Sequence, residues 1–464
     1  MYDAKDVVSR AAHMINDGEV EPNRIAKTVL VIDEAQDMSA EEYALVNALM
    51  KANEEMRVIA VGDDDQNIFE FRGSNSKYMS QLLSDSDGRF FEMTENYRSS
   101  RHVVDFANAF VGRIKGRMKN APIMSMSQEN GSVSITRHAS ALMYQPLVND
   151  LVNHRGKGTV CILTQTNEEA VILVALLRKH GIKSKLIQSM DGIRFWNMAE
   201  VRLFLKYIDA ETHTPFITDE VWEISKRKTF SEYANSSSLC YLQRCIKLFE
   251  ETNKAKYLTD LKEYIFESSP EDFCDLQNAD VVVSTIHKSK GMEFDDIYML
   301  ITEPRHLTDE VLRRYYVGIT RAKKRLYIHT NSMLFDNLNI IYQKNVDKNI
   351  YGMPDEIVLQ LSHKDVNLGY FKSRKKEVLS LRAGQKLHYD NNYLYDIKTN
   401  KPVCQLSQKI QAELNTWGER KYFVSEVSIR FIVAWRPKDA PKEEKEHAVL
   451  LVDLTLIKKY RDKE

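Results

Sequence analysis

Cysteine is scarce in this sequence, with five residues in 464. None of the five belongs to a C-x-x-C pair, and no histidine stands near them at zinc spacing, which argues against a disulfide scaffold and a zinc module. An excess of charge is also missing, because 65 Lys and Arg against 66 Asp and Glu leave a net charge of −1. Any nucleic-acid site must therefore be a local basic patch.

Long hydrophobic runs are absent too. No apolar stretch approaches the ~20 residues of a membrane span, and the opening MYDAKDVVSR does not resemble a signal peptide. We therefore expect a cytoplasmic protein without a membrane partner. With 43% hydrophobic and 28% charged residues, the chain has the composition of a folded protein with two to four domains.

Two blocks of the sequence alternate between strand and helix patterns, which predicts parallel sheets with covered faces. The first block reads TVLVID, AEEYALVNALMKA, RVIAVGD, SKYMSQLL and RFFEM, and the second contains GTVCILTQT, EEAVILVALLRKHG and VVVSTIH. Residues 211–279 have a helical pattern. After residue 350 the segments EVLSL, KLHYD, YLYDI, YFVSEVSIRFIVAW and HAVLLVDLTLI predict a small β-rich domain.

Carboxylates follow the first apolar run directly. In VLVIDEAQDMS, Asp33 and Glu34 stand at the carboxyl end of a predicted strand, where open α/β sheets bind ligands. One carboxylate could hold Mg²⁺ through its water shell while the other polarises an attacking water. The alternative is that acidic residues are simply favoured near a helix N-terminus.

Four further stretches carry polar, basic or aromatic residues. In VGDDDQNIFEFRGS, Gln66 follows an acidic turn, and Phe69 and Phe71 could stack nucleobases or pack in a core. MTENYRSS places Arg98 before a predicted helix start. VVVSTIHKSKGMEF places His287, Lys288 and Lys290 where a predicted strand passes into a loop. In TDEVLRRYYVGITRAKKRL, Arg314 and Arg321 share one face if the helix continues through Gly318.

In this order the stretches resemble the motifs of superfamily 1 ATP-dependent DNA helicases, in the UvrD/Rep/PcrA-like branch. VIDEAQD is similar to motif II, VGDDDQNIFEFRG to motif III, TENYRS to motif IV, STIHKSKGMEF to motif V and YVGITRAKKRL to motif VI. The resemblance covers roughly residues 29–330. It implies two RecA-like lobes, an ATP and Mg²⁺ requirement, single-stranded or partly duplex DNA as substrate, and a role in DNA repair or replication.

The resemblance also implies residue roles. It makes Asp33 the Mg²⁺ residue, Glu34 the catalytic base, Gln66 the γ-phosphate sensor, and Arg98 and Arg321 the arginine fingers. The remaining nucleotide contacts would be Tyr97 on adenine, Glu293 on ribose, and Arg314 and Gly318. The single strand would run past Phe69, Phe71, Arg72, Thr285, His287 and Lys288.

One expected element is not in the sequence. The family's phosphate loop, G-x-x-x-x-G-K-[ST], has no match, and the nearest string, RGKGT at residues 155–159, lacks the first glycine and the final hydroxyl residue. We therefore expect an incomplete first lobe, covered by an upstream segment or a protein partner, and little ATPase activity from this chain alone.

The expected organisation has four parts. Residues 1–95 form a partial first lobe, 96–210 with 280–348 a second lobe, 211–279 a short helical insertion, and 349–464 a β-rich domain. Three functions stay open: an ATP-dependent helicase or translocase, a degenerate helicase that binds DNA or protein without turnover, and, more remotely, a Mg²⁺-dependent nuclease using Asp33, Asp63 and Asp64.

Overall fold

The computed structural model describes residues 4–85, 88–187, 194–212, 214–273, 279–436 and 446–459. The chain divides into two compact units: unit one comprises residues 1–165 and 284–351, and unit two comprises residues 166–283 and 352–464. None of the described helices has the length and apolar character that a membrane crossing requires. The four-part division expected from the sequence stays a prediction.

Unit one begins with a thin layer that we call the two-stranded part (residues 4–85). It contains α1 Ala4–Asn16, α2 Pro22–Ile25, β1 Val29–Ile32, α3 Ala40–Ala52, β2 Arg57–Ala60 and α4 Lys77–Asp85. Strands β1 and β2 are parallel, with Val29 opposite Arg57 and Val31 opposite Ile59. A capping box at Ser39 and Glu42 starts α3, as the S-x-x-E spacing predicts.

The rest of unit one is thicker, and we call it the five-stranded part (residues 88–165 and 284–351). Its helices are α5 Arg101–Val111, α6 Tyr144–His154 and α12 Asp309–Ile319, and its strands are β3 Glu95–Asn96, β4 Met124–Ser125, β5 Ser132–His138, β6 Val160–Thr164, β9 Phe294–Ile301, β10 Ala322–Thr330 and β11 Gln343–Asp347. Five of these strands are parallel, in the order β11-β5-β10-β9-β6. Strand β7 Ser184–Ile187 belongs to unit two, and β8 Val281–Thr285 includes the boundary between residues 283 and 284.

Unit two combines helices with an antiparallel sheet. Its helices are α7 Asn167–Lys179, α8 Ala199–Glu211, α9 Asp219–Glu232, α10 Leu239–Thr252, α11 Leu258–Glu267, α13 Lys375–Leu379 and α14 Gln408–Glu419. Its six-stranded sheet has the order β12-β17-β16-β13-β14-β15, formed by β12 Glu356–Gln360, β13 Lys386–Asp390, β14 Tyr393–Asp396, β15 Pro402–Gln405, β16 Tyr422–Trp435 and β17 His447–Lys458.

The predicted fold class is confirmed: the protein is α/β, with a parallel sheet, a helical segment and a β-rich C-terminal region. Two local predictions were wrong. RFFEM, residues 89–93, is not a strand, and its apolar side chains are largely exposed. EVLSL lies mostly in α13, because its polar and apolar residues satisfy one helical turn as well as a short strand.

Candidate nucleotide and DNA site

The acidic turn after β1 presents two exposed carboxylates. Asp33 and Glu34 follow Ile32 directly, and the Glu34 backbone has a φ of 50°, in the left-handed region. Asp33 Oδ1 accepts a hydrogen bond from the Glu34 backbone N–H at 2.8 Å. A non-glycine residue held in this conformation is uncommon and often marks a functional site. Exposed oxygen donors of this kind suit Mg²⁺.

Gln36 connects this turn to the next one. Its side chain is fully buried, its Nε2 donates to Glu34 Oε2 at 2.5 Å, and its Oε1 accepts from the Asp63 backbone N–H at 2.9 Å. A Cβ added to Gly62 would lie 2.4 Å from Gln36 Oε1, so a side chain there would displace the amide. Gln36 therefore holds Glu34 in place, a role that the sequence did not reveal.

The predicted phosphate sensor and one predicted arginine finger are in direct contact. Arg321 Nη2 donates to Gln66 Oε1 at 2.8 Å, and Arg321 Nε donates to the Val317 carbonyl at 3.0 Å. Burial lowers the pKa of Arg321 from 12.5 to about 10, and the nearby charge of Arg98 acts in the same direction. Arg321 is still protonated at neutral pH, so a buried positive charge faces the turn that ends at Gln66.

The second predicted finger is paired with the predicted ribose contact. Arg98 Nε donates to Glu293 Oε2 at 2.7 Å, and Lys323 Nζ lies 3.6 Å from Glu293 Oε1. Tyr97 is largely exposed, and its hydroxyl donates to Glu95. The Tyr97 ring is thus open to solvent beside this ion pair.

Lys290 adds a cation that the sequence analysis did not single out for this position. Its Nζ binds the Asp37 carboxylate and lies 3.5 Å from Glu34 Oε2. It also lies 5.2 Å from the centroid of the Phe69 ring. Burial raises the pKa of Asp37, while the hydrogen bond from Lys290 opposes this rise. Lys290 therefore offsets part of the charge of the acidic turn and also lies over an aromatic ring.

The aromatic residues predicted to contact DNA form one cluster. The Phe69 and Phe71 ring centroids are 6.2 Å apart, and the His287 centroid lies 6.4 Å and 5.9 Å from them. The Arg72 guanidinium lies 5.2 Å from Phe69 and 5.5 Å from Phe71. Burial lowers the pKa of His287 to about 4, and the charges of Arg314, Arg72 and Lys288 add to this effect. His287 is therefore neutral at physiological pH.

Other predicted contacts divide between this cluster and the core. Thr285 is buried at the start of the short helix Ile286–Ser289, which carries His287 and Lys288. Gly318 is buried in α12, where an added Cβ would lie 2.4 Å from Met299 Cε, so it packs closely against β9, and its nucleotide role stays a prediction.

The condition for a shared helix face of Arg314 and Arg321 is met only in part, because α12 includes Gly318 but stops before Arg321. Helix α12 ends at Ile319, so Arg321 lies beyond it. The charge of Arg314 helps to lower the pKa of His287, so Arg314 lies near one of the predicted DNA contacts. The two arginines therefore do not lie on one helix.

Two family models match the chain. Residues 1–87 match the UvrD/REP helicase N-terminal domain, and residues 91–215 and 211–333 match the UvrD-like helicase C-terminal domain. The C-terminal match alone covers more than half of the chain. The chain belongs to the UvrD-like DNA helicase family. Because the N-terminal family domain is found in residues 1–87, the expectation of a missing front part has no support from the comparisons.

Relatives within the family are distant over most of the chain. DNA helicase II of Haemophilus influenzae is 23% identical over 405 residues, covering 64% of this chain and 54% of the relative. PcrA of Staphylococcus epidermidis is 22% identical over 66% of this chain and 55% of its own length. A putative ATP-dependent DNA helicase, YjcD of Bacillus subtilis, is 37% identical over 190 residues, 39% of this chain and 24% of the relative. The chain thus spans about half the length of the first two relatives.

Proposed function

We propose that the chain acts as a translocase on single-stranded DNA, driven by hydrolysis of Mg-ATP. The observation that carries the proposal is the 2.8 Å contact between Arg321 and Gln66. It joins the two parts of unit one beside the acidic turn, with Gln66 in the turn that follows β2 and Arg321 directly before β10. A cation facing carboxylates across a cleft is the arrangement that phosphoryl transfer requires.

Within this proposal, Glu34 takes the proton of the water that attacks the γ-phosphorus, and ADP and phosphate are the products. Asp33 would hold Mg²⁺, which when bound would supply positive charge that offsets the phosphate oxygens. Arg98 and Arg321 stabilise the charge of the transferred group. Tyr97 stacks on adenine.

The DNA part of the proposal rests on the aromatic cluster. Phe71 is 65% exposed, and Arg72 lies beside both phenylalanine rings. Exposed rings with an adjacent guanidinium bind single strands by stacking and charge, with about 1–3 kcal/mol for each stacked base. A neutral His287 completes the cluster without adding charge.

A second candidate function is DNA binding that needs no ATP and involves no turnover. Two observations favour it: these 464 residues contain no phosphate loop, and Lys290 binds Asp37 and lies 3.5 Å from Glu34, so that one cation already offsets part of the negative charge there. Either candidate is compatible with a protein partner that covers the two-stranded part. Either is also compatible with a role in DNA repair or replication. The nuclease hypothesis is weakened because Lys119 binds Asp63.

The decisive experiment measures binding and hydrolysis together. Fluorescein-labelled dT20 binds in an anisotropy titration, and Phe69→Ala and Phe71→Ala each weaken binding by about 5- to 100-fold, since each removes one stacking platform. Phe423→Ala, an exposed phenylalanine of unit two, is the matched control and leaves the Kd unchanged.

Phosphate release from ATP is measured in the same samples. DNA-stimulated phosphate release that disappears in Glu34→Gln supports the translocase, whereas DNA binding with little phosphate release supports binding without turnover. Failure of the unmodified chain to bind dT20 contradicts both candidates.

A further inference from the structure

A connecting segment, which we call the strap (residues 112–123), runs from α5 to β4 in the five-stranded part. Its two ends are held there. Arg113 Nη2 donates to the Asp336 carbonyl at 3.1 Å, and Asn108 Nδ2 donates to the Ile123 carbonyl at 2.7 Å. The strap therefore belongs structurally to the five-stranded part of unit one.

The middle of the strap binds the two-stranded part. Arg117 Nε and Nη2 donate to the two carboxylate oxygens of Asp65, both at 2.9 Å. Lys119 Nζ binds Asp63 and lies 3.3 Å from Asp65 Oδ2. A bidentate guanidinium–carboxylate pair fixes both distance and orientation, so the strap holds this turn in one position.

The turn that the strap contacts carries three neighbouring carboxylates. Asp63, Asp64 and Asp65 have carboxylate oxygens within 4.8 Å of one another, and Asp65 is fully buried. Adjacent buried carboxylates need counter-charges, and Arg117 and Lys119 supply two. The strap cations thus occupy the role that a metal ion would otherwise have at such a cluster.

The same turn leads to the predicted DNA contacts. The short helix Asp64–Gln66 ends three residues before Phe69, and Phe69 meets His287 of the five-stranded part at 6.4 Å between centroids. The rings of the cluster therefore come from both parts of unit one. Their spacing depends on how firmly the two parts are joined.

We propose that Arg117 and Lys119 are positioning residues that join the two parts of unit one and assemble the DNA-binding rings without bound nucleotide. The inference deepens the proposed DNA function and rests on it. Neither residue lies in the motif-like stretches of the sequence. Their effect on DNA is indirect, through the turn at Asp63–Asp65.

The first test is dT20 affinity in the double variant Arg117→Ala/Lys119→Ala. The Kd rises at least tenfold, and the unmodified chain has the same Kd within twofold with and without Mg-ATPγS. The matched control is Arg137→Ala/Lys344→Ala, because Arg137 and Lys344 likewise converge on one carboxylate, Asp336, at 2.9 and 2.5 Å. The control keeps its Kd within twofold.

The second test separates positioning from direct attraction of DNA. Spin labels on the exposed positions Lys51→Cys in α3 and Asn153→Cys in α6, with Cys240 and Cys274 replaced by serine, report the distance between the two parts. Without nucleotide the parent gives one narrow distance distribution, and the strap variant gives a broad one.

Equal distributions in parent and strap variant overturn the inference, whatever the DNA result. Arg117→Lys guards against misfolding, since it keeps the charge and loses one hydrogen bond. It gives an intermediate Kd and an intermediate width. If the parent does not bind dT20, the proposed function fails, while the distance measurement still decides the role of the strap.

Discussion

The two parallel layers of unit one differ in how much of each sheet is covered. In the two-stranded part, Val31 is 62% exposed and Ile59 is 52% exposed, and they are register partners on the same face. In the five-stranded part, all five residues of β6 are buried. Parallel sheets ordinarily have both faces covered, so the thin layer is the exception.

Helix packing accounts for the difference. Helices α5, α6 and α12 pack on strands of the five-stranded part. Helices of the two-stranded part contact one another and the acidic turn, and within the described residues the Val31 face stays exposed. The five-stranded part therefore has the larger buried core, while Asp33 and Glu34 stand on the two-stranded part, which has little core of its own.

The largest effect should come from truncating equivalent strand residues in the two layers. Ile162→Ala, in fully buried β6, lowers the free energy of unfolding by about 2–5 kcal/mol, because it removes buried methyl groups and leaves a cavity. Val31→Ala changes it by about 0.5 kcal/mol or less, since the side chain is mostly in water.

Urea unfolding followed by far-ultraviolet circular dichroism measures both variants. Tryptophan fluorescence is unsuitable, because all four tryptophans, at positions 196, 222, 417 and 435, belong to unit two. Equal losses from the two variants would show that the layers are equally well packed, against the comparison.

A smaller effect of pH should come from a histidine pair in the five-stranded part. His138 of β5 and His329 of β10 are buried and share a hydrogen bond, with 3.0 Å between Nε2 and Nδ1. Burial lowers the pKa of His138 to about 4, and the charge of His329 contributes. Between pH 6.5 and 4 the unfolded chain binds a proton at His138 that the folded chain does not, so stability falls as pH falls.

The loss across this window is on the order of 2–3 kcal/mol. His138→Gln removes this contribution and makes the urea midpoint less dependent on pH between 6.5 and 4. Strands β1 and β2 contain no histidine and give no such slope. A variant with an unchanged pH profile would show that His138 titrates normally.

Much of the local structure was predictable from the sequence because its causes are local. The spacing of Ser39 and Glu42 specifies a helix start, and the apolar run at β6 specifies a buried strand. The strand predicted at RFFEM does not form, because a strand needs a neighbouring strand for its hydrogen bonds, and none of the described residues pairs with it.

The contacts across the site were less predictable. Gln66 and Arg321 are 255 residues apart, and only family resemblance suggested that they act together. Arg117 and Lys119 had no such guide, because a basic pair in a loop is usually a solvated surface. Their importance depends on two carboxylates, the buried Asp65 and the half-buried Asp63, which lie 52 and 56 residues away.

The smallest effect on stability, and the most direct test of the uncovered face, comes from adding charge to it. Val29, Val31, Ile59 and Val61 are all exposed, and contiguous apolar surface promotes association. Val31→Lys/Ile59→Lys therefore lowers light scattering at high protein concentration, while the free energy of unfolding in urea changes by no more than about 0.5 kcal/mol. Val152→Lys, an exposed valine on α6, leaves scattering unchanged because it interrupts no such face. If the double variant scatters as much as the parent, the face does not drive association, and its exposure has no bearing on what the two-stranded part binds.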